Sequence, residues 1–385
     1  MIGLYFEVSK PIVQGGAYLH TVRNFDSYSH SINAVGGFWS ASLGFPVIQS
    51  VAEDWYDDGL GRQIHVKNQF NRTVWRGFVN SITITAGSQT VTRGPLFDIA
   101  NRAACIYTPR QFIPDAPPVD GATLPTPLAD DIVSQALYGI IEKSVTGGAC
   151  PDDLAIKIRD TYIEQNKLPK ATGDFSIAGQ GQSLSMSLEL LGNIHWLTVY
   201  PFNNLVEGLV TAYDKLLQVL NANTTINPGT VSTDYQYVED NVYPVDQLEN
   251  KDRYAWDVIQ EILTFGNDIN DLRRILGMYE DNLIHYQTMP TAIGYEYKLS
   301  WQKQRVIDYD TRAFMYPWDI RPGKWIFVSD WLIGREKATP IYDDKRCKFV
   351  ESVSFSAPYT VGLQGSPFDT LAQMLSKITY TGGVY

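Results

Sequence analysis

A chain of 385 residues is too long for one ordinary hydrophobic core and predicts two or three domains. Its composition, 44% hydrophobic and 19% charged, is typical of a folded globular protein. The net charge of −11 argues against general adhesion to nucleic acid or to an anionic membrane, because both repel an acidic surface.

The reactive side chains form no recognisable metal or disulfide pattern. Cys105, Cys150 and Cys347 show no CxxC spacing and are odd in number, so we expect buried free thiols. The five histidines lack the HxxxH spacing that places two ligands on one helical face, so we expect no metal and no cofactor. Without a signal peptide or a long apolar stretch, we expect a soluble product made in a cytoplasm.

Residues 1–108 favour antiparallel strands. A bulge or sharp bend is expected at Gly36, and a short helix should begin at Pro95. The predicted strands are residues 2–8, Ser31–Phe45, Ile64–Val66 and the two arms of a long hairpin, Thr73–Thr92. Strands of this kind make a small barrel or sandwich.

Residues 109–170 predict a linker followed by a helical connector. Six prolines within 109–127 are too many for regular structure and suit a stiff, extended linker. Residues 128–143 carry apolar side chains at helical spacing, and Gly147 should follow the end of that helix. A second helix should begin at Pro151.

Residues 171–222 return to alternating strands and then to a helix. The helix Leu205–Leu220, capped by Asn203 or Asn204, has the strongest apolar stripe of the sequence. We assign the strands within 171–200 to a β module at the C-terminus of the chain.

Residues 223–297 predict a small α+β inset. A helix that begins at Asp252 leads into a hairpin between Ile275 and Tyr286. The second β module follows in residues 298–385.

The end of the chain repeats the pattern of its beginning. Lys348–Leu375 has the order of Thr73–Arg102: strand, turn, strand, glycine, proline and an apolar helix. A glycine and an alternating strand precede each hairpin, in Leu60–Val66 and Pro322–Val328. The pattern predicts duplication of one β module, with the two hairpins at equivalent positions of two barrels. The alternative is that two β-rich segments look alike by chance.

No stretch of the sequence carries a catalytic constellation. Trp55–Asp58 fits a sugar site with two carboxylates, although neighbouring carboxylates on a loop are usually only solvated. Gly179–Gly181 lacks the third glycine of a dinucleotide site, and His195 fits a core position better than a ligand pocket. We therefore name no catalytic, cofactor-binding or metal-binding residue. The 23 Tyr, 16 Phe and 9 Trp suit a protein that holds partners.

Several blocks of sequence in a fixed order carry a resemblance that covers nearly the whole chain. They are VWRGFVNSITI, TRGPLFDIANRAACIYTP, SQALYGIIEKSVTGG, AIKIRDTYIEQNKLPK, ENKDRYAWDVIQEI, LGMYEDNLIHY, RPGKWIFV and the closing hairpin. In this order they resemble the tail-tip or baseplate hub proteins of tailed bacteriophages.

The resemblance implies a β-rich α+β fold of two related tube-type β-barrels joined by helices and carrying inserted domains. It also implies a non-enzymatic virion protein, with three copies forming a ring that adapts a sixfold tail tube to a threefold tip and lets DNA pass. A threefold ring meets a sixfold partner only if each subunit presents two similar faces. The implied partners are other copies of the chain, the tail tube or distal tail protein, spike or fibre proteins and the tape measure protein.

Two alternatives stay open. A distal tail protein forms a plain sixfold ring and needs only one tube-type barrel. A carbohydrate-active enzyme or carbohydrate-binding module would use Trp55 and Tyr56 as an aromatic platform. The sequence contains no lysozyme-like insert and no fibre repeat, so neither cell-wall degradation nor receptor binding is expected.

Overall fold

The fold is known from a computed structural model and belongs to the β-rich α+β class that the sequence predicts. The structure describes residues 3–111, 117–174, 183–202, 210–245, 253–264, 274–290, 292–298, 305–329, 347–356 and 360–365. Within these ranges, no helix is long and apolar enough to cross a membrane.

The N-terminal part builds most of one large sheet. Its strands are β1 (Tyr5–Ser9), β2 (Tyr18–Val22), β3 (Ser27–Asn33), β4 (Gly36–Val47), β5 (Gln63–Lys67), β6 (Thr73–Ala86) and β7 (Gln89–Arg93). The helix α1 (Gln49–Asp58) connects β4 to β5, and a short 3-10 turn, Leu96–Asp98, follows Pro95 as predicted. The single bent strand predicted for Ser31–Phe45 is instead the hairpin β3–β4, which turns just before Gly36.

A second, smaller sheet is built around β8 (Arg102–Gln111). Its other elements are β9 (Val119–Asp120), β10 (Leu124–Pro125), β11 (Ala129–Asp130), α2 (Ile132–Tyr138), β12 (Glu142–Cys150) and α3 (Asp152–Asn166). The three short strands lie antiparallel along one side of β8, β12 runs parallel on the other, and α3 packs on β8 and β12. We call this part the small α/β unit.

The small α/β unit corrects two predictions. The proline-rich stretch, where described, supplies edge strands of a sheet rather than a free linker, because an edge strand tolerates a residue that lacks an N–H. The predicted helix 128–143 is only α2, which ends where Gly139 takes a φ of 79°. Gly147 lies within β12, so it does not end a helix.

The strands β13 (Ala171–Asp174) and β14 (Leu184–Leu191) join the N-terminal sheet, not the C-terminal module to which we assigned them. β14 lies between β4 and β6 along its whole length. Its alternating side chains Met186, Leu188 and Leu190 enter the core formed by Phe6, Trp75 and other N-terminal residues, so burial decides the pairing.

The inset has its own core. It contains β15 (Val210–Thr211), α4 (Ala212–Ile226), β16 (Pro244–Val245), α5 (Ala255–Ile262), β17 (Arg274–Met278) and β18 (Ile284–Thr288). α5 packs with the hairpin β17–β18, as predicted, and α4, which was assigned to residues 171–222, shares the same core. The cap of α4 is Thr211, whose Oγ1 accepts from the Asp214 amide at 3.0 Å, so α4 begins later than predicted. Leu209 and the proposed caps Asn203 and Asn204 lie outside the described residues.

The C-terminal strands continue the main sheet. They are β19 (Ile293–Lys298), β20 (Arg305–Asp308), β21 (Trp325–Ser329), β22 (Cys347–Ser356) and β23 (Thr360–Gly365). Both long hairpins exist, β6–β7 and β22–β23. Separate barrels were predicted for them, but β22 pairs with β3, so one sheet contains both hairpins. In the described ranges its strand order runs openly from β2 to β20, and no barrel closes there. The helix predicted after β23 lies outside them.

Glycines permit close backbone contact where the inset meets the main sheet. β17 runs parallel to β4 at Gly37, whose φ is 74°. Any side chain at this position would overlap the Met278 backbone. Gly192 donates its amide to the Trp39 carbonyl at 2.8 Å, and a methyl group there would overlap the Phe38 carbonyl oxygen. The contact at Gly37 fixes the inset against the sheet, and the contact at Gly192 fixes the end of β14 against β4.

Candidate functional site

A cleft of about 490 Å³ lies between the hairpin β17–β18 and the segment that precedes β21. Its walls include Tyr279, Glu280, His285, Arg321 and Lys324. A volume of this size is within the range of small-molecule sites, about 300–1,000 Å³.

The central cation of the cleft is already paired. Arg321 donates from Nη2 to Glu280 Oε1 at 2.7 Å and from Nη1 to the Trp318 carbonyl at 2.8 Å. Its guanidinium also lies 5.5 Å from the centre of the Phe38 ring. Arg321 therefore ties the inset to the C-terminal strands, and its charge is balanced within the protein.

The two titratable rings of the cleft are neutral at pH 7. Burial raises the pKa of Tyr279 to about 12. Burial lowers the pKa of His285, whose ring stacks on Tyr237 with centroids 4.4 Å apart. A phenol with a pKa of about 12 is a weak acid at pH 7, so Tyr279 is poorly matched to acid–base catalysis.

Among the described residues, no group of three or more His, Cys, Asp and Glu side chains could hold a metal ion. Cys105 and Cys150 are free and buried, as expected of them, and burial raises the pKa of Cys105. The side chain of Cys347 lies outside the described set. The described thiols thus lack the exposed, activated environment of a nucleophile.

The proposed sugar platform is not a surface. Trp55 lies in the helix α1, not in a loop, and is only 1% exposed. It packs against Phe45 at 6.2 Å, and the Arg62 guanidinium lies 4.9 Å from its ring. A buried indole cannot stack on a sugar, so the carbohydrate alternative loses one of the two rings of its platform. The other ring, Tyr56, is half-buried, and the Arg93 guanidinium lies 5.4 Å from its centre.

His195 occupies a 3-10 turn, Asn193–Thr198, rather than the predicted strand. Its ring centroid lies 4.2 Å from that of Trp39, and Nε2 lies 3.1 Å from the Trp39 carbonyl oxygen. Burial lowers the pKa of His195 to about 4. The side chain is a neutral packing element, in agreement with the core interpretation.

The most prominent exposed feature is an apolar surface on the small α/β unit. We call it the α2 surface and define it by Ile132 at 77%, Val133 at 74%, Leu168 at 53% and Leu137 at 40% exposure. Lys167 holds Leu168 beside α2 through an ion pair with Asp131 at 3.3 Å. The sequence pattern places Ile132 and Val133 on the apolar face of the predicted helix 128–143, and in the structure both side chains are exposed. Periodicity identifies an apolar face but not whether another element covers it.

A second exposed feature is a stack of aromatic rings. Tyr316 and Trp318 are nearly parallel, with centroids 5.1 Å apart, and Phe70 lies 6.3 Å from Tyr316. Phe70 and Tyr316 are 57% and 49% exposed. The stack joins the turn before β6 to the segment before β21, and nothing in the sequence pattern pointed to it.

Comparison with known proteins gives structural similarities of low score. The tail protein from Neisseria meningitidis MC58 is similar with a TM-score of 0.39 and 9% identity, over 92% of each chain. The 43 kDa tail protein of prophage MuSo2 from Shewanella oneidensis is similar with a TM-score of 0.43 and 7% identity, over 94% of this chain and 97% of that one. At such scores and identities the similarities establish neither a shared fold nor a function. No protein-family profile and no curated protein matches the chain.

Proposed function

We propose that this chain is a structural, non-enzymatic subunit of a bacteriophage tail, in the virion at the tail tip or baseplate. The observation that carries the proposal is the α2 surface, where Ile132 and Val133 are 77% and 74% exposed. Exposed apolar patches on a folded protein mark contacts with other macromolecules. The order of the sequence blocks, which resembles that of hub proteins, supplies the kind of assembly.

The ring geometry is part of the proposal. Three copies surround a channel and adapt a sixfold tube to a threefold tip, through heterologous contacts that close on themselves. A net charge of −11 suits a wall that does not retain DNA, because phosphate is repelled rather than bound. The partners are the tail tube or distal tail protein on one side, and the spike, fibre and tape measure proteins on the other.

The chemistry of the cleft supports a structural role. Its Arg321 is balanced by Glu280, and Tyr279 is a neutral phenol at pH 7. These groups hold the inset in place and leave no activated nucleophile or base among them. A distal tail protein with six copies per ring is the second candidate, and the number of copies separates the two.

The test is the mass of the assembled ring, with and without the α2 surface. Replacing Ile132 and Val133 by Asp should weaken ring formation by about tenfold or more, because a charge in an apolar contact is costly. Ile48 is a matched control: it is 68% exposed and occupies the N-cap of α1, where Asp is favourable.

The proposal is supported if the parent and Ile48→Asp form rings of three copies and the variant with Asp at positions 132 and 133 does not. Six copies favours the distal tail protein. A ring that forms equally well in both variants refutes the role of the α2 surface, and a channel lined by Lys and Arg refutes the argument from DNA passage.

A further inference from the structure

The aromatic stack, Phe70, Tyr316 and Trp318, combines two exposed rings with a buried one. Phe70 and Tyr316 are 57% and 49% exposed, whereas Trp318 is 8% exposed and packs in the core that contains Phe6 and Trp75. The ring planes of Tyr316 and Trp318 differ by 4°, and the plane of Phe70 is tilted by 50° from that of Tyr316. Exposed apolar side chains that adjoin one another mark interaction sites or ligand-binding sites.

The turn that carries Phe70 is ordered by its own hydrogen bonds. Asn68 Oδ1 accepts from the amide of Phe70 at 2.9 Å and from that of Arg72 at 3.0 Å, which closes the turn. Asn71 adopts a φ of 61°, and its Oδ1 accepts from the Tyr5 hydroxyl at 2.7 Å. Because the backbone is held in this way before a ligand arrives, binding at Phe70 costs little conformational entropy.

Hydrogen-bonding groups of different kinds flank the rings. Asn71 and Arg72 directly follow Phe70 and are exposed. Asp319 directly follows Trp318, and burial raises the pKa of its carboxyl group while the nearby Arg72 opposes this rise. An amide, a guanidinium and a carboxyl group offer both donors and acceptors. The one cation among them lies near the one carboxyl group, so these side chains select no strongly charged ligand.

The size and the charge of the stack distinguish among possible ligands. A stable protein contact uses about 20–30 residues on each side, many more than two exposed rings. A single-stranded nucleic acid needs a row of cations beside its stacked bases, whereas this chain has a net charge of −11. A saccharide fits both features, because a sugar ring has an apolar face for an aromatic ring and hydroxyl groups for polar side chains.

We propose that the aromatic stack is a binding site for an uncharged saccharide. One sugar ring lies against Phe70 and Tyr316, and its hydroxyl groups bond to Asn71, Arg72 and Asp319. The stack thus supplies the aromatic platform that the sequence suggested elsewhere in the chain. The proposal concerns binding without catalysis and does not depend on formation of a ring by this protein.

The test is calorimetric titration of the isolated full-length chain with three uncharged hexasaccharides: α-1,4-linked glucose, β-1,4-linked glucose and β-1,4-linked N-acetylglucosamine. We expect at least one to bind with a Kd of about 1 mM or tighter. Phe70→Leu should weaken this binding by about tenfold, because leucine is apolar but has no ring, and Phe70→Tyr should retain it. Tyr18→Ala should also bind like the parent. Tyr18 is a matched control because it is 61% exposed and lies opposite Ser9, at the other end of β1 from Tyr5.

Equal melting temperatures would show that Phe70→Leu is folded. The proposal is overturned if none of the three saccharides binds with a Kd below about 10 mM, or if Phe70→Leu binds as tightly as the parent. A single-stranded oligothymidine that binds where the saccharides do not would assign the stack to nucleic acid instead. Loss of ring assembly in Phe70→Leu, without saccharide binding by the parent, would assign it to a protein contact. Because the titration uses the isolated chain, its failure leaves the proposed tail function standing.

Discussion

Acid should destabilise this protein well before its carboxylates are protonated, because several of its histidines are buried and neutral. Burial, with a smaller contribution from Arg321, lowers the pKa of His30 to about 3. Burial and then Arg76 and Lys67 lower the pKa of His65 to about 3. Burial lowers the pKa of His195 to about 4.

His30 shows the physical reason. Its ring is 3% exposed, stacks on Phe355 with centroids 5.1 Å apart, and has Nδ1 at 2.9 Å from the Tyr28 hydroxyl. Nε2 is buried and has no hydrogen-bond partner among the described residues. A proton on this ring would place a charge in a buried site that Arg321 already makes electropositive, so the folded state favours the neutral ring.

The direction of the pH dependence follows from these shifts. The unfolded chain binds protons at its histidines below about pH 6.5, whereas the folded chain does not until about pH 3–4. The stability contributed by neutral histidines is complete above about pH 6.5 and is lost as the pH falls from there. At about pH 5 each of the three histidines lowers the free energy of unfolding by about 2 kcal/mol. Their sum of about 6 kcal/mol is comparable with the total stability of many domains.

Carboxylates whose pKa is lowered in the folded state contribute little in this window, and those whose pKa burial raises, Glu142 and Asp319, gain stability as the pH falls. The hydrogen bond from Arg62 lowers the pKa of Asp54. The backbone amide of Ser134, in the first turn of α2, donates to Asp131 and lowers the pKa of that carboxyl group. Stability from groups with a lowered carboxyl pKa is present above their unfolded value of about 4 and is lost only below it. The loss between about pH 7.5 and 5 therefore reports the histidines.

The assay is urea unfolding of the parent and of His30→Gln at about pH 7.5 and pH 5. The variant should be less stable at the higher pH, but its loss between the two values should be smaller than that of the parent by about 2 kcal/mol. Tyr28→Phe is the control, because it removes the hydroxyl beside Nδ1 and keeps the buried imidazole. Equal pH dependence in His30→Gln and the parent would show that His30 is not buried as a neutral ring.

Three further changes test the fold. Leu216→Ala should lower the free energy of unfolding by about 2–5 kcal/mol, since Leu216 is fully buried in the inset, and an unchanged melting temperature would contradict the position of α4. Asn101 donates to the Gly139 carbonyl at 2.7 Å and accepts from the Ile141 amide at 2.8 Å. Asn101→Ala should therefore lower the free energy of unfolding by about 2–4 kcal/mol, and limited proteolysis should cut the chain near α2 faster than in the parent. Gly192→Ala should lower the free energy of unfolding in urea by about 1–3 kcal/mol or more, because the methyl group meets the Phe38 carbonyl. Gly148→Ala is its control, because the new methyl group there meets no atom and only the positive φ is strained.

The sequence predicted the type of many elements because that information is local. The alternation of β14 and the apolar stripe of α5 are visible in the chain itself, and both elements exist. The partner of β14 was not predictable, because an alternating strand fits any sheet that offers an apolar face. Only the core around Trp75 selects the space between β4 and β6.

The candidate surfaces were hidden from sequence reasoning for a related cause. Ile132 and Val133 carry the same apolar pattern whether a neighbouring element covers them or not, and in the structure they are exposed. Trp55 stands beside two acidic residues, which suggested a sugar platform, yet the fold of α1 buries it. Exposure depends on tertiary packing, which local periodicity does not contain.

The pairing of β3 with β22 has a consequence for synthesis. Asn33 lies opposite Ser352 in that ladder, so the two strands leave the ribosome about 320 residues apart. At about 5–20 residues per second, β3 waits about 15–60 s for its partner while β4 already protects its other side. During translation this edge is a template on which strands of other nascent chains can pair. β22, the native partner of β3, is thus made long after β3. The yield of native subunit depends on no other strand pairing with that edge of β3 before β22 is made.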